Sequence, residues 1–101
     1  MDMMREPPVF NPGKRRSDYP LSGRQTGPAW RTAWELLWWQ EPETYVDAVE
    51  LSAEVSRRTG VNQNTVRNLL ISAHRANILE ATTRLAGGRN RTHYRIAREY
   101  R

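Results

Sequence analysis

One short stretch of the chain carries four side chains that can make paired hydrogen bonds: Gln63, Asn64, Arg67 and Asn68. An amide both donates and accepts, and a guanidinium donates two parallel N–H groups. Their spacing places all four side chains on one face of a helix. Such groups suit the edges of nucleic-acid bases, where amides pair with adenine and Arg pairs with guanine. Thr65, in the same stretch, offers a hydroxyl for a phosphate and a methyl for a thymine methyl.

The segment that carries these side chains is predicted to be a helix over residues 63–76. Asn62 is a favourable N-cap, and Asn77 tolerates the left-handed conformation that ends many helices. The predicted buried face consists of four apolar residues at helical spacing: Val66, Leu69, Leu70 and Ala73. The polar side chains therefore lie on the opposite face. His74 lies near the buried side, where packing is its expected role.

Another helix is predicted immediately before this one. Asp47 followed by Glu50 is typical of a capping box at a helix start, and Gly60 ends the helix. Its predicted buried face contains Ala48, Leu51 and Val55. A short strand is predicted before it, at residues 44–46. The order of helix, tight turn and helix brings the polar face of the later helix to the surface.

After these helices, apolar residues no longer recur at helical spacing but alternate with polar residues, as they do in a strand. Gly87 and Gly88 permit the positive φ angles of a two-residue turn, so residues 78–97 are predicted to form a β-hairpin. Five of its side chains can carry positive charge: Arg84, Arg89, Arg91, His93 and Arg95. No acidic residue lies between residues 81 and 97. These cations are expected to repel one another unless a polyanion lies beside them.

Arginines on either side of the polar helix face are expected to bind the backbone of a nucleic acid. Arg57 and Arg58 lie at the end of the helix before the turn, where they can flank a groove and hold phosphate. Arg89 and Arg91 lie next to the glycine turn, and with Arg84 they are expected to contact the backbone or the minor groove.

Charge is distributed unevenly along the 101 residues, whose net charge is +5. Residues 32–56 contain 6 acids and no base, whereas residues 57–101 contain 10 bases and 2 acids. A fold that joins these segments is expected to turn a basic face toward a polyanion and an acidic face away from it. All but one of the basic residues are Arg, which suits phosphate and guanine but also follows from GC-rich coding.

The run from Val55 to Val66, VSRRTGVNQNTV, resembles the helix-turn-helix core of winged-helix DNA-binding proteins. In that family a helix is followed by Gly, an apolar residue, a polar cap and polar residues before a buried Val. Ile78 and Leu79 stand where the wing strand begins in that pattern. Thr59 departs from the pattern, since an apolar residue is common there.

This resemblance implies a three-helix winged helix-turn-helix fold, mainly α with a small β-hairpin. It further implies sequence-specific binding of double-stranded DNA, with the helix of residues 63–76 in the major groove and the wing of residues 84–95 on the backbone or minor groove. Small proteins of this type include bacterial and bacteriophage transcription regulators, and transcription regulation is the expected use. An alternative is a protein–protein interaction module that uses the Trp-rich first helix and the acidic segment.

The first helix is predicted to open at Thr26 or Gly27, with Pro28 in its first turn, and to end at Pro42. A buried stripe is predicted from the spacing of Trp30, Ala33, Trp34, Leu37 and Trp38. Aromatic residues at this spacing favour core packing over a base-stacking cage. Leu36 and Trp39 fall off the stripe, which indicates a surface for a homodimer or a host protein.

The domain boundaries follow from these patterns. Residues 1–25 are predicted to be a flexible basic arm, because prolines and a Lys14-Arg15-Arg16 cluster replace periodic apolar residues. Two interpretations stay open, a disordered leader and an arm that follows phosphates or a minor groove. Residues 26–97 are predicted to form the folded domain, and residues 98–101 a short basic tail.

Several classes of function are disfavoured by composition. The chain has no Cys and 2 His, so no catalytic residues, cofactor or metal site are predicted, and no enzyme activity is expected. No apolar run approaches the ~20 residues of a membrane span, so no membrane partner is expected. The start of the chain does not resemble a secretory signal, and a cytoplasmic location is expected.

Overall fold

The structure, a computed structural model, describes residues 3–8, 10 and 23–101. The described residues form three α-helices and a three-stranded antiparallel sheet, a mixed α/β arrangement. In chain order the elements are α1 (Gly23–Trp38), β1 (Val46–Asp47), α2 (Ala48–Thr59), α3 (Gln63–Arg75), β2 (Leu79–Ala86), β3 (Arg89–Ile96) and a 3-10 turn, η1 (Arg98–Tyr100). The sheet order is β1-β3-β2, so β3 is the central strand.

Side-chain caps begin α2 and α3 as the sequence predicts. The Oδ1 of Asp47 accepts the backbone N–H of Glu50 at 2.9 Å. The Oδ1 of Asn62 accepts the backbone N–H of Asn64 at 2.8 Å. Gly60 follows α2 with φ 76°, a left-handed conformation that a residue without a Cβ adopts at little cost. These signals fix α3 directly after a three-residue turn.

The predicted hairpin is confirmed. Gly87 and Gly88 have φ 59° and 78°, which suits the two central positions of a tight hairpin turn. The β2–β3 register runs from Leu79 opposite Ile96 to Ala86 opposite Arg89. Asn77 has φ 63°, and this left-handed residue separates α3 from the hairpin.

One face of the sheet and all three helices enclose the core. The fully buried larger side chains include Trp34, Leu37, Val55, Val66, Leu69, Leu70, Leu79 and Ile96. The predicted inward stripe of α1 is therefore confirmed, although Trp38 at its end is only half-buried. Trp39 is 63% exposed, and Leu36 is half-buried against the core.

Three predicted boundaries are wrong. Helix α1 ends at Trp38 rather than at Pro42, and the carbonyl oxygens of its last two residues accept hydrogen bonds from Arg101. Helix α1 begins at Gly23, and Pro28 lies inside it. A proline so close to the N-terminus removes a hydrogen bond only from the start of the helix, so the helix extends past it. The first strand is Val46–Asp47 rather than residues 44–46, because only these two residues pair with β3, opposite Tyr94 and His93.

Both ends of the chain contact α1. In the described part of the predicted arm, the carbonyl oxygens of Arg5 and Pro8 each accept an indole N–H, from Trp34 and Trp30 respectively, at 2.9 Å. The ring of Phe10 meets that of Trp30 edge to face, with centroids 5.0 Å apart. This described part is therefore packed on the core, unlike a free arm. The Lys14-Arg15-Arg16 cluster lies outside the described residues.

The predicted basic tail is also folded against α1. Arg101 donates from its guanidinium to the carbonyl oxygens of Leu37, Trp38 and Gln40, at 3.0 to 3.3 Å. Its guanidinium carbon lies 5.3 Å from the centre of the Trp38 ring. A cation at this end of a helix satisfies carbonyls that lack helical partners and opposes the helix dipole.

Candidate nucleic-acid interface

Helix α3 turns a mostly polar face to solvent. Val66, Leu69, Leu70 and Ala73 are buried as predicted, so the opposite side of the helix is the exposed one. Five exposed residues at three- and four-residue spacing form what we call the α3 stripe: Asn64, Arg67, Asn68, Ile71 and Arg75. Helix α3 contains no acidic residue. The stripe therefore offers hydrogen-bond donors and positive charge without a carboxylate of its own helix.

Three of the four predicted base-reading residues belong to the α3 stripe. Asn64, Arg67 and Asn68 are exposed on adjacent turns. Gln63 and Thr65 are half-buried at the start of the helix. The structure thus brings Asn64, Arg67 and Asn68 together and places Gln63 and Thr65 beside them.

Near the C-terminal end of α3, His74 lies against Tyr94 of β3. The Tyr94 ring is 5% exposed, and its centroid lies 6.1 Å from that of His74 on α3. Burial raises the pKa of the Tyr94 phenol, while the positive charge of Arg67 acts in the opposite direction. The Nδ1 of His74 lies 3.0 Å from the carbonyl oxygen of Leu79. Because a carbonyl only accepts, Nδ1 carries the proton, and this hydrogen bond ties α3 to β2. His74 is nevertheless exposed, unlike the packed residue that the sequence predicts.

Arg57 and Arg58, two of the predicted phosphate contacts, share one carboxylate. Both pair with Glu54 on the previous turn of α2, and the Nε of Arg58 lies 2.7 Å from its Oε2. Hydrogen bonds from Arg57 and then Arg58 lower the pKa of Glu54 from 4.5 to about 2. The two arginines are exposed but already partly neutralised, so a phosphate must compete with Glu54 for them.

Arg91 is tied to α2 through Asp47. Its Nε and Nη2 lie 2.9 Å from the two carboxylate oxygens of Asp47, a bidentate pair. The Nε2 of His93 lies 3.6 Å from the same carboxylate. Asp47 also caps α2, so this carboxylate connects the hairpin to the helix that precedes the turn.

Arg95 is neutralised by acids from distant parts of the sequence. Its guanidinium lies 2.8 Å from Glu80 and 2.9 Å from Glu43, and 4.4 Å above the centre of the Tyr45 ring. The hydrogen bond with Glu80 is the main reason that the pKa of Arg95 is raised. At the base of the hairpin, the end away from the Gly87-Gly88 turn, carboxylates of the protein itself thus relieve the expected repulsion between cations.

Five arginines of the C-terminal half have no carboxylate partner among the residues that the structure describes. Arg101 is bound by carbonyl oxygens of α1 and the residues after it, and the other four are Arg67, Arg75, Arg84 and Arg89. All four are exposed. Arg67 and Arg75 lie on the α3 stripe. Arg84 and Arg89 lie toward the tip of the hairpin, where the guanidinium carbon of Arg84 lies 5.8 Å from the centre of the Tyr45 ring. The cations that the fold leaves uncompensated therefore lie on α3 and on the outer half of the hairpin.

Sequence reasoning missed three features of this surface. Ile71 is 39% exposed in the middle of the stripe. Its position in the sequence does not distinguish it from the neighbouring apolar residues that are buried in the core. Arg75 completes the stripe in the last turn of α3. The carboxylate of Asp47 was expected only as a cap, and its contact with Arg91 spans 44 positions of sequence. Local patterns carry no signal for such a distant contact.

The Trp-rich helix presents little of its aromatic surface. Trp30 and Trp34 are buried, at 8% and 0% exposure, and they contact Arg5, Pro8 and Phe10. Trp39 remains exposed beside Met3, which is 86% exposed. Of the two apolar residues that fall off the stripe, Trp39 is therefore the exposed one, whereas Leu36 packs partly against the core.

No helix in the described ranges is long and apolar enough to cross a membrane. Within the same residues, no group of three or more His, Asp or Glu side chains is arranged to hold a metal ion. Comparisons of the chain with protein-family models, curated proteins and solved structures give no match.

Proposed function

We propose that this protein binds double-stranded DNA sequence-specifically through a winged helix-turn-helix, with α3 in the major groove and the β2–β3 hairpin as the wing. The observation that carries the proposal is the exposed α3 stripe, free of acidic residues, beside a hairpin whose outer arginines have no carboxylate partner among the described residues. Transcription regulation is the proposed use, in the cytoplasm where its target DNA lies.

The dimensions and chemistry of α3 suit a major groove. A helix with its side chains is about 10–12 Å wide, and the major groove of B-DNA is about 12 Å wide. Arg67 can donate two hydrogen bonds to guanine, and Asn64 or Asn68 can pair with adenine. Gln63 and Thr65, at the start of α3, are placed to contact bases or the adjacent phosphates.

Phosphate binding is assigned to the arginines around the stripe. Arg84 and Arg89 on the hairpin are the strongest candidates, since no carboxylate within the described structure competes for them. Arg57 and Arg58 act as phosphate contacts once DNA competes with Glu54. Arg91 contributes differently, because Asp47 occupies two of its donors and makes it a residue that positions the wing.

The experiment that tests the proposal is selection from a random duplex pool at two salt concentrations. We expect one enriched motif, loss of that motif in the Arg67→Ala and Asn64→Ala variants, and binding that weakens steeply with salt. Arg98→Ala is the matched control, since it removes the same charge from an exposed residue of η1 that pairs with Glu43. Binding without an enriched motif would contradict sequence-specific recognition, and absence of binding would contradict the whole proposal.

A protein-interaction module is the second candidate, and exposed Trp39 is the observation that favours it. A contact centred on a Trp should respond weakly to salt, unlike phosphate binding. Retention of a partner by the wild type and its loss in Trp39→Ala, with no DNA binding by either, would support this candidate instead.

A further inference from the structure

Ile71 is an apolar residue surrounded by polar ones on the exposed face of α3. Its neighbours one turn away on either side are Arg67, Asn68, His74 and Arg75, all of them exposed. Among the described residues the other exposed large apolar side chains are Met3, Trp39, Val49 and Leu85, and none of them lies on α3. Ile71 is therefore an isolated apolar group within a hydrogen-bonding surface.

Neither helix formation nor the core accounts for this residue. A β-branched side chain favours a helix less than Lys, Glu or Ala does at an exposed position. At 39% exposure, Ile71 leaves much of its surface outside the core that Leu70 and Ala73 complete. Its branched side chain is restricted at χ1, so its γ-methyl group is held in a preferred direction.

The α3 stripe and the floor of a major groove are both mostly polar surfaces with isolated apolar groups. Base edges there are mostly hydrogen-bond donors and acceptors, and the 5-methyl group of thymine is the isolated apolar feature. An apolar protein partner would need a continuous patch, whereas the helical neighbours of Ile71 carry amide, imidazole and guanidinium groups.

We infer that Ile71 recognises thymine by contact with its 5-methyl group, which makes it a specificity-determining residue. This inference rests on the proposed function, since it requires α3 to lie in the major groove. Ile71 lies one turn, about 6 Å, along the axis from Arg67. The thymine should therefore lie one or two base pairs from the base that Arg67 reads, since base pairs are about 3.4 Å apart.

The test uses the motif enriched by the wild-type protein, with each thymine in turn replaced by deoxyuridine. This replacement removes only the methyl group. We expect it to weaken wild-type binding about fourfold at one position, the fold-change that corresponds to one buried methyl group. The Ile71→Ala variant should bind the original motif about as weakly and lose nothing further at that position, whereas Ile71→Val should keep the sensitivity.

Val49→Ala is the matched control, because Val49 is a β-branched residue of α2 with 40% exposure. It should retain the wild-type response to deoxyuridine. Equal losses in the wild type and in Ile71→Ala at every thymine would overturn the inference while leaving the proposed function intact. Failure of the wild type to enrich any motif would overturn the proposed function and this inference together.

Discussion

Asp47 connects three parts of the fold through one carboxylate. It accepts the N–H of Glu50 at the start of α2 and two N–H groups of Arg91 on β3, and its backbone belongs to β1. The side chain is 10% exposed, so its charge depends on these partners for compensation. The position of the hairpin relative to α2 therefore depends on this residue.

Two substitutions separate the roles of Asp47. Asp47→Asn keeps a favourable cap and loses the ion pair, whereas Asp47→Ala loses both. We expect Asp47→Ala to lower the free energy of unfolding by about 2–3 kcal/mol, and Asp47→Asn to lower it by about 1 kcal/mol less. Urea unfolding of both variants measures this difference. Equal losses would show that the cap contributes nothing.

The ion pairs of Glu54 predict a pH dependence. Because its pKa falls from 4.5 to about 2 on folding, its charged form stabilises the folded state. This contribution is present above pH 4.5 and is lost as the pH falls through about 2. The free energy of unfolding of Glu54→Gln should lie below that of the wild type at pH 6, and the two should converge between pH 4.5 and 2.

Urea unfolding at a series of pH values provides this measurement. Glu35→Gln is the control, since Glu35 is an exposed acid of α1 without an ion-pair partner in the described structure. A gap between wild type and Glu54→Gln that stays constant down to pH 2 would argue against the pairing.

At the scale of elements, the turn between α2 and α3 sets the direction of α3. Gly60 at φ 76° reverses the chain, and Asn62 starts α3 two residues later. The exposed side of α3 follows from this geometry, because Val66 and Leu69 must then face the core. A substitution at Gly60 is expected to change the stability of the fold by straining the backbone conformation of this turn.

Two substitutions at Gly60 test this conformational argument. An added Cβ at Gly60 meets no atom within 4 Å beyond its chain neighbours, so the expected cost comes from the positive φ of 76°. We expect Gly60→Ala to lower the free energy of unfolding by about 1–2 kcal/mol, and Gly60→Asn to lower it by less, because Asn tolerates the left-handed conformation better than Ala does. Thermal unfolding measures both, and stabilisation by Gly60→Ala would contradict the argument.

At the scale of the whole molecule, the arginines that pair with carboxylates lie in different places from those that do not. Acids from residues 43–54 neutralise arginines at the base of the hairpin and at the end of α2. The arginines of α3 and of the outer hairpin keep their charge available to solvent. Within residues 57–101 the basic surface is therefore smaller than the sequence predicts, and it is concentrated on α3 and the outer hairpin.

This distribution predicts which arginines set the salt dependence of DNA binding. Each phosphate contact that is lost should reduce the slope of log affinity against log salt by about 0.9. Arg84→Ala and Arg89→Ala should each produce this reduction, and the double variant about twice as much. Arg98→Ala should leave the slope unchanged. Fluorescence anisotropy titrations at four salt concentrations measure the slopes, and an unchanged slope in the double variant would exclude the hairpin from the contact.

Local signals in the sequence determined the elements and the face of α3. Caps at Asp47 and Asn62, left-handed positions at Gly60 and Asn77, and the apolar period of each helix act over a few residues, so they can be recognised without the fold. The polar face at Asn64 and Arg67 follows directly, since it is the side of α3 opposite the buried stripe.

Only the tertiary structure decided which charges remain free. Arg91 and Arg95 resemble Arg84 and Arg89 in sequence, yet their partners Asp47 and Glu43 lie more than 40 positions away. The contacts of Arg5, Pro8 and Phe10 with the Trp-rich helix were equally hidden, because prolines and scattered apolar residues have no helical or strand period. Compensation of charge and burial of irregular segments depend on distances in space, and these exist only once the chain is folded.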